Sequence, residues 1–125
     1  MQPPKMAPWN LVLRFGLEIA AFVGIGMVAS SLASESTRWI VVVLVVLMAV
    51  SAWGIFNVVD DPSRSGRAPV EVSGWARLAL ELVILGGAAL ALIIAGRLSF
   101  GCVLGGLVLV HYLSSWSRVR WLLEQ

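Results

Sequence analysis

Four long apolar runs take up most of this chain, over residues 9–33, 39–59, 75–95 and 100–116. Each is near the roughly 20 residues that a helix needs to cross a hydrocarbon core of about 30 Å. Hydrophobic residues make up 59% of the 125 and charged residues only 13%, about half the usual charged share of a soluble domain. A soluble monomer rarely exposes more than a few hundred Å² of contiguous apolar surface, so lipid is the expected solvent. The runs do not alternate with period two as barrel strands would, and an open sheet edge cannot face lipid. Even the valine-rich stretch 41–46 is therefore expected to be helical. The expected fold is all-α, a single integral membrane domain over residues 1–125 in the form of a four-transmembrane-helix bundle.

The connections divide this bundle into two hairpins. Ser34-Glu35-Ser36-Thr37-Arg38 is a short polar turn, and Gly96-Arg97-Leu98-Ser99 is shorter still. In the second, Gly96 is placed to cap one helix and Ser99 to start the next. Links this short make antiparallel neighbours. The longer polar link from Asp60 to Ser73 joins the two halves. Ser31-Leu32-Ala33 loosely resembles a leader cleavage site, but the run before it is too long and contains Glu18, so it is read as a retained span.

A second constraint is a repeated charged pair. Arg14 and Glu18 stand four apart at the head of the first run, and Arg77 and Glu81 stand four apart at the head of the third. An offset of 63 also aligns Leu17 with Leu80, Gly24 with Gly87 and Trp53 with Trp116. Two spans per repeat keep both copies in one orientation, so the pseudo-two-fold axis should run along the membrane normal, as in parallel repeats. Each Glu lies about 6 Å deeper than its Arg at 1.5 Å per residue. Arg before Glu is the weaker order for a pair within one helix, which suggests crossed partners, Arg14 with Glu81 and Arg77 with Glu18.

Ionisable groups inside a membrane segment are functional candidates by default. The candidate charge layer is Arg14, Glu18, Arg77, Glu81 and His111, the single histidine. Two readings remain open. In the first, the opposite charges fix helix register and the protein is structural or accessory. In the second, Glu18 and Glu81 are desolvated proton or cation sites of a small transporter or channel, with His111 as a relay. A third reading of the arginines is contact with lipid headgroups. Asn10 and Asn57 are expected as caps or interhelical hydrogen bonds. Catalysis is not expected, because no nucleophile triad, phosphate loop or metal cluster is present, and no metal or cofactor is expected.

The formal charge of +2 lies at segment ends rather than in an aromatic-lined stripe, so nucleic acid is not expected as a partner. The expected partner is the bilayer. Small-residue faces at Gly16, Ala20, Gly24 and at Gly101, Gly105 would suit a second copy or another membrane protein. Cys102, the one cysteine, is expected to be a small buried apolar side chain. Lys5, Arg14, Arg64, Arg67, Arg77, Arg118 and Arg120 fall on one side of a four-span arrangement, and Arg38 and Arg97 on the other. That bias puts both termini and the middle link in the cytoplasm. Five tryptophans, Trp9, Trp53, Trp75, Trp116 and Trp121, are expected to form a belt at the same interface, with the tail 118–123 lying along it.

These segments resemble the YrdB-like family of small four-span bacterial membrane proteins. The resemblance is carried by residues 10–18, by Trp53-Gly54-Ile55-Phe56, by Asp61-Pro62-Ser63-Arg64, by residues 77–81 and by His111-Tyr112. It covers nearly the whole chain and implies a location in the bacterial inner membrane. It implies no activity.

Overall fold

The computed structural model describes residues 2–125 and is mainly helical. Helix α1 spans Pro8–Leu32 and α2 spans Arg38–Ile55. Helix α3 runs Gly74–Ile94 with a π-helical turn at Leu82–Gly86. Helix α4 spans Leu98–Ser114 and α5 spans Trp116–Leu123, bent by 72° from α4. Three helices (α1, α2 and α3) are long and apolar enough to cross a membrane, and α4 with α5 makes a fourth if the bent pair counts as one span.

Polarity is arranged inside out. Large apolar side chains such as Ile40, Met48, Val83, Leu109 and Leu113 are exposed, whereas Arg14, Arg77, Glu81, His111 and Arg118 are buried. Helices α1, α3 and α4 enclose the apolar core, which includes Leu17, Ala21, Leu85, Leu92, Leu104 and Val108. Helix α2 packs chiefly on α1 and buries only Trp53. It ends at Ile55 rather than 59, because Phe56–Asn57 turns extended as strand β1 and pairs in parallel with β2, Val70–Glu71. The middle link is therefore a folded loop tied back onto α2, through a two-stranded pairing that the apolar pattern gave no hint of.

Local rules account for most of the ends. Gly96 takes φ +83 after α3, and the N–H of Arg97 reaches back to the Leu92 carbonyl at 2.8 Å, a Schellman-type cap. Ser99 does not cap α4, which already begins at Leu98. The bend after α4 sits on Ser114 and Ser115. The Ser114 hydroxyl donates to Val110 O and the Ser115 hydroxyl to His111 O, both at 2.7 Å. Such back-bonding adds a second donor to a helical carbonyl, as at His111 O, which also takes the Ser115 N–H at 3.0 Å, and bends a helix.

Several expectations fail here, those about the tail because the bend folds it under the bundle. Trp121 and Leu122 are buried with Val58, and Arg118 is buried as well, so α5 is core and not an interfacial stripe. Trp53 is also core, while Trp9, Trp75 and Trp116 remain exposed. Cys102 is exposed on α4 rather than buried. The small-residue faces are unequal too. A Cβ at Gly101 would stand 2.7 Å from the Ala89 carbonyl oxygen and 2.9 Å from the Ile93 nitrogen, whereas one at Gly105 would make ordinary contact and one at Gly16 would meet nothing. Gly74 is tighter still, because a Cβ there would collide with the Leu122 carbonyl where α5 crosses α3.

Gly101→Ala and Gly74→Ala should each cost about 1–3 kcal/mol through forced backbone separation. Gly106→Ala, with nothing near its Cβ position, should be neutral or slightly stabilising. Thermal unfolding of the three variants in detergent would test the ranking, and an unchanged midpoint for Gly74→Ala would contradict the α3–α5 crossing.

Candidate functional site

Glu81 lies at the end of the first turns of α3 and is fully buried. Its Oε1 accepts from Arg14 Nη2 at 2.6 Å, Arg118 Nη2 at 2.8 Å and Arg77 Nε at 2.9 Å. Its Oε2 accepts from the Tyr112 hydroxyl at 2.9 Å, Arg118 Nη1 at 3.0 Å and Arg14 Nη1 at 3.3 Å. Two carboxylate oxygens offer about four lone-pair sites, so six donors use the group completely. Arg14 and Arg118 each grip both oxygens, the bidentate geometry that suits guanidinium to carboxylate.

The donors arrive from separate elements. Arg14 comes from α1, Arg77 from α3 itself, Tyr112 from the end of α4 and Arg118 from α5. Arg118 also forks onto Asp61 of the link, with Nε to Oδ1 at 2.8 Å and Nη2 to Oδ2 at 2.6 Å. Asp61 further accepts from the backbone N–H and hydroxyl of Ser63 at 2.9 and 2.8 Å, which turns the loop. Burial by itself would raise the Asp61 pKa, but the hydrogen bond and charge of Arg118 outweigh it and hold the carboxyl below its ordinary 3.8.

Helix α2 joins through Trp53. The Arg14 and Arg77 guanidiniums lie 5.1 and 4.6 Å from its ring centroid, each in cation–π range. The Trp53 carbonyl accepts from Arg77 Nη1 at 2.9 Å and Arg64 Nη1 at 3.0 Å. Arg77 Nη1 also reaches Phe56 O at 2.6 Å, so Arg77 closes the end of α2. Asn57 Nδ2 donates to Gly54 O at 2.6 Å and does the same from the other side.

His111 is held rather than loose. Its Nδ1 pairs closely with Asn10 Oδ1, and its Nε2 faces Arg14 Nη1 at 3.5 Å. The tautomer with its proton on Nδ1 satisfies both neighbours. Asn10 Nδ2 in turn donates to Ser114 Oγ at 2.8 Å, which bridges α1 to the bend.

The five residues singled out from the sequence thus do not all meet. Arg14, Arg77, Glu81 and His111 share one buried cluster. Glu18 stays at its rim, one-fifth exposed, with Oε1 at 3.2 Å from Arg14 Nε. Of the crossed partners, Arg14 does reach Glu81, but Arg77 does not turn to Glu18. It uses Glu81 on its own helix and the carbonyls ending α2. The helix-order preference invoked against such a pair is worth only about 0.2–0.5 kcal/mol in water, and buried Coulomb terms are several times larger. Arg118, Asp61 and Tyr112 were not among the candidates. Arg118 and Asp61 look peripheral because they lie outside the apolar runs, and the signal for both is the Ser114-Ser115 bend.

Comparison with known proteins adds a family. The profile of a family described as "Protein of unknown function (DUF2568)" matches residues 12–109, a stretch that holds Arg14, Glu18, Asp61, Arg77 and Glu81. Over 121 residues the chain is 35% identical to "Uncharacterized protein YrdB" of Bacillus subtilis (strain 168), covering 97% of this chain and 98% of that protein. No solved structure gives a match.

Removing Glu81 takes a shared carboxylate from three buried guanidiniums and leaves Arg77 without an ion pair. Glu81→Ala should therefore be destabilised by about 3–5 kcal/mol, and Tyr112→Phe by about 1 kcal/mol. Exchanging Arg14 and Glu81 should give no rescue, because an arginine at 81 would face Arg77 and Arg118. Recovery of the wild-type unfolding midpoint in that double variant would refute the hub.

The lowered Asp61 pKa also sets an acid limb. The stability it contributes is complete above the ordinary aspartate pKa of 3.8 and is lost as pH falls through the lower folded value. Asp61→Asn should be less stable at neutral pH and flatter below pH about 4. Parallel wild-type and variant curves in acid would contradict the Arg118 pairing.

Proposed function

The chain belongs to the DUF2568 family, and we propose that it is a four-span integral protein of the bacterial inner membrane, structural or accessory rather than catalytic. In this reading two tandem helical hairpins stand side by side, with both termini and the middle link in the cytoplasm. The ionic cluster around Glu81 ties their cytoplasmic ends together.

The observation that carries the reading is the saturation of Glu81. A proton or cation carrier needs a carboxylate with an open lone pair and a way out. Glu81 has six donors and no exposed surface. It acts as a fastener, of the kind that gives a buried polar network its specificity. The bilayer reading is supported by the apolar exterior and by the number of helices long enough to span.

Orientation rests on fewer charges than the sequence suggested, because Arg14, Arg77 and Arg118 are neutralised inside the cluster. Lys5, Arg67 and Arg120 stay exposed at the cluster end, with Arg64 half-buried beside them, against Arg38 and Arg97 at the opposite end. The bias still favours the cluster end inside.

Two measurements test the proposal. In intact cells, a cysteine at Gly66 should resist a membrane-impermeant thiol reagent while one at Glu35 reacts, and the reverse pattern would invert the topology. In proteoliposomes the wild type should carry no proton current. Current that disappears in a folded Glu18→Gln variant would replace the structural reading with transport.

A further inference from the structure

Beside the cluster, a cleft of about 280 Å³ opens between α1 and the middle link, lined by Leu11, Arg14, Phe15, Glu18, Ser63, Arg64 and Ser65. We propose that this cleft binds a phosphate group, with Arg64 as its principal ligand.

The first argument is charge. Four guanidiniums, those of Arg14, Arg64, Arg77 and Arg118, gather here against three carboxylates, those of Glu18, Asp61 and Glu81. Arg14, Arg77 and Arg118 each have a carboxylate oxygen within 3.2 Å or less. Among the described residues, Arg64 makes no ion pair, so the surplus positive charge rests on it. The one hydrogen bond of its side chain among the described residues spends Nη1 on the Trp53 carbonyl, which leaves most of its five N–H donors free for an acceptor. Burial lowers its pKa, and the charges of Glu18, Asp61 and Glu81, opposed by Arg14, do not fully offset that.

The second argument is an unmet donor on the opposite wall. Arg14 is 1% exposed, and its Nε is buried with no hydrogen-bond partner. Glu18 Oε1 is 3.2 Å away but off the donor's line. Buried donors without acceptors are uncommon in folded proteins, and an unseen ion is one standard explanation. Ser65 adds an exposed hydroxyl at the mouth. Planar guanidinium forks and hydroxyls are the groups that recognise phosphate oxygens.

The third argument concerns the source. The rim is formed by Leu11 and Phe15, both exposed apolar side chains on α1. A cationic floor under an apolar lip fits the phosphodiester of an anionic lipid whose chains run along α1. Free phosphate has the same oxygens without the chains. The phosphate site rests on the cleft alone, and only the lipid source rests on the membrane-spanning reading.

The experiment measures affinity of the detergent-purified full chain for inorganic phosphate and, in nanodiscs, for phosphatidylglycerol against phosphatidylcholine. Wild type should bind phosphatidylglycerol in preference to phosphatidylcholine. Arg64→Gln should weaken that binding about tenfold, the scale of one lost charge-assisted contact. Glu18→Gln should strengthen it by removing the one acid on the wall. Arg67→Gln, which deletes the same charge from the same link, should leave it unchanged. Binding of inorganic phosphate that depends on Arg64, with no Arg64-dependent binding of either lipid, keeps the site and discards the lipid. No Arg64-dependent binding of either ligand, or equal loss in Arg67→Gln, overturns the proposal. Wild-type far-ultraviolet ellipticity in each variant confirms that folding is not the cause.

Discussion

Glu81 is the point at which helices α1, α3, α4 and α5 are tied. In the proposed membrane-spanning arrangement, apolar helices gain little from burying one another, so hydrophobicity alone leaves their rotation and sliding poorly defined. A single carboxylate taken out of solvent removes that freedom, because it is tolerable only when charged donors surround it. Here the donors come from α1, α3, α4 and α5, and Arg118 passes the constraint on to Asp61 in the link. Helix α2 supplies no charge. It is held by a ring and a carbonyl, both from Trp53, under the Arg14 and Arg77 guanidiniums. The register of α1, α3, α4 and α5 is thus set against one pair of oxygens.

The two hairpins carry the same Arg–Glu spacing yet use it differently, and the offset of 63 explains why. Glu81 is served from α4 and α5 by Tyr112 and Arg118. At the matching positions the first hairpin has Ala49 and Ile55, neither with a donor to give. Glu18 therefore keeps only Arg14 and remains at the rim. Trp53 and Trp116 match in sequence, yet one is core and the other is exposed. The backbone departs as well, because α3 takes a π turn at Leu82–Gly86 directly after Glu81 while α1 stays α-helical throughout. Such a turn widens the helix locally and rotates the turns beyond it. The pattern is duplicated, but the packing is not.

Much of the helical arrangement could be read from the chain because hydropathy over 20 residues is a strong local signal. The four apolar runs and the short turns at Ser34–Arg38 and Gly96 needed no tertiary information. Arg14 meeting Glu81 is one half of the crossed pairing expected from the repeat, and the other half, Arg77 with Glu18, does not form. Arg118 and Asp61 were hidden for a different reason. Charges beyond the end of an apolar run are ordinarily solvated, and nothing local shows that a 72° bend returns them to the interior. The pair Ser114-Ser115 is visible, but whether hydroxyls bend a helix or merely face outward depends on what the next turn packs against. Here it packs against Gly74, which has no side chain to prevent the crossing.

The distribution of polarity along the bundle bears on the choice between fastening and transport. A carrier needs polar or wet positions that continue across the middle of the membrane. Beyond the cluster, the core runs through Leu17, Ala21, Leu85, Ala88, Leu92 and Leu104, and the buried polar side chains among the described residues belong to the cluster end. Among the described residues, buried charge is gathered at that one end, and Arg38 and Arg97 at the other end are not buried. That pattern suits a device that fixes helix ends while the far half remains an ordinary apolar packing surface. It also concentrates an uncompensated positive charge where the link meets α1, so the position with the greatest need for an external anion is at the edge of the cluster, at Arg64, and not at its centre.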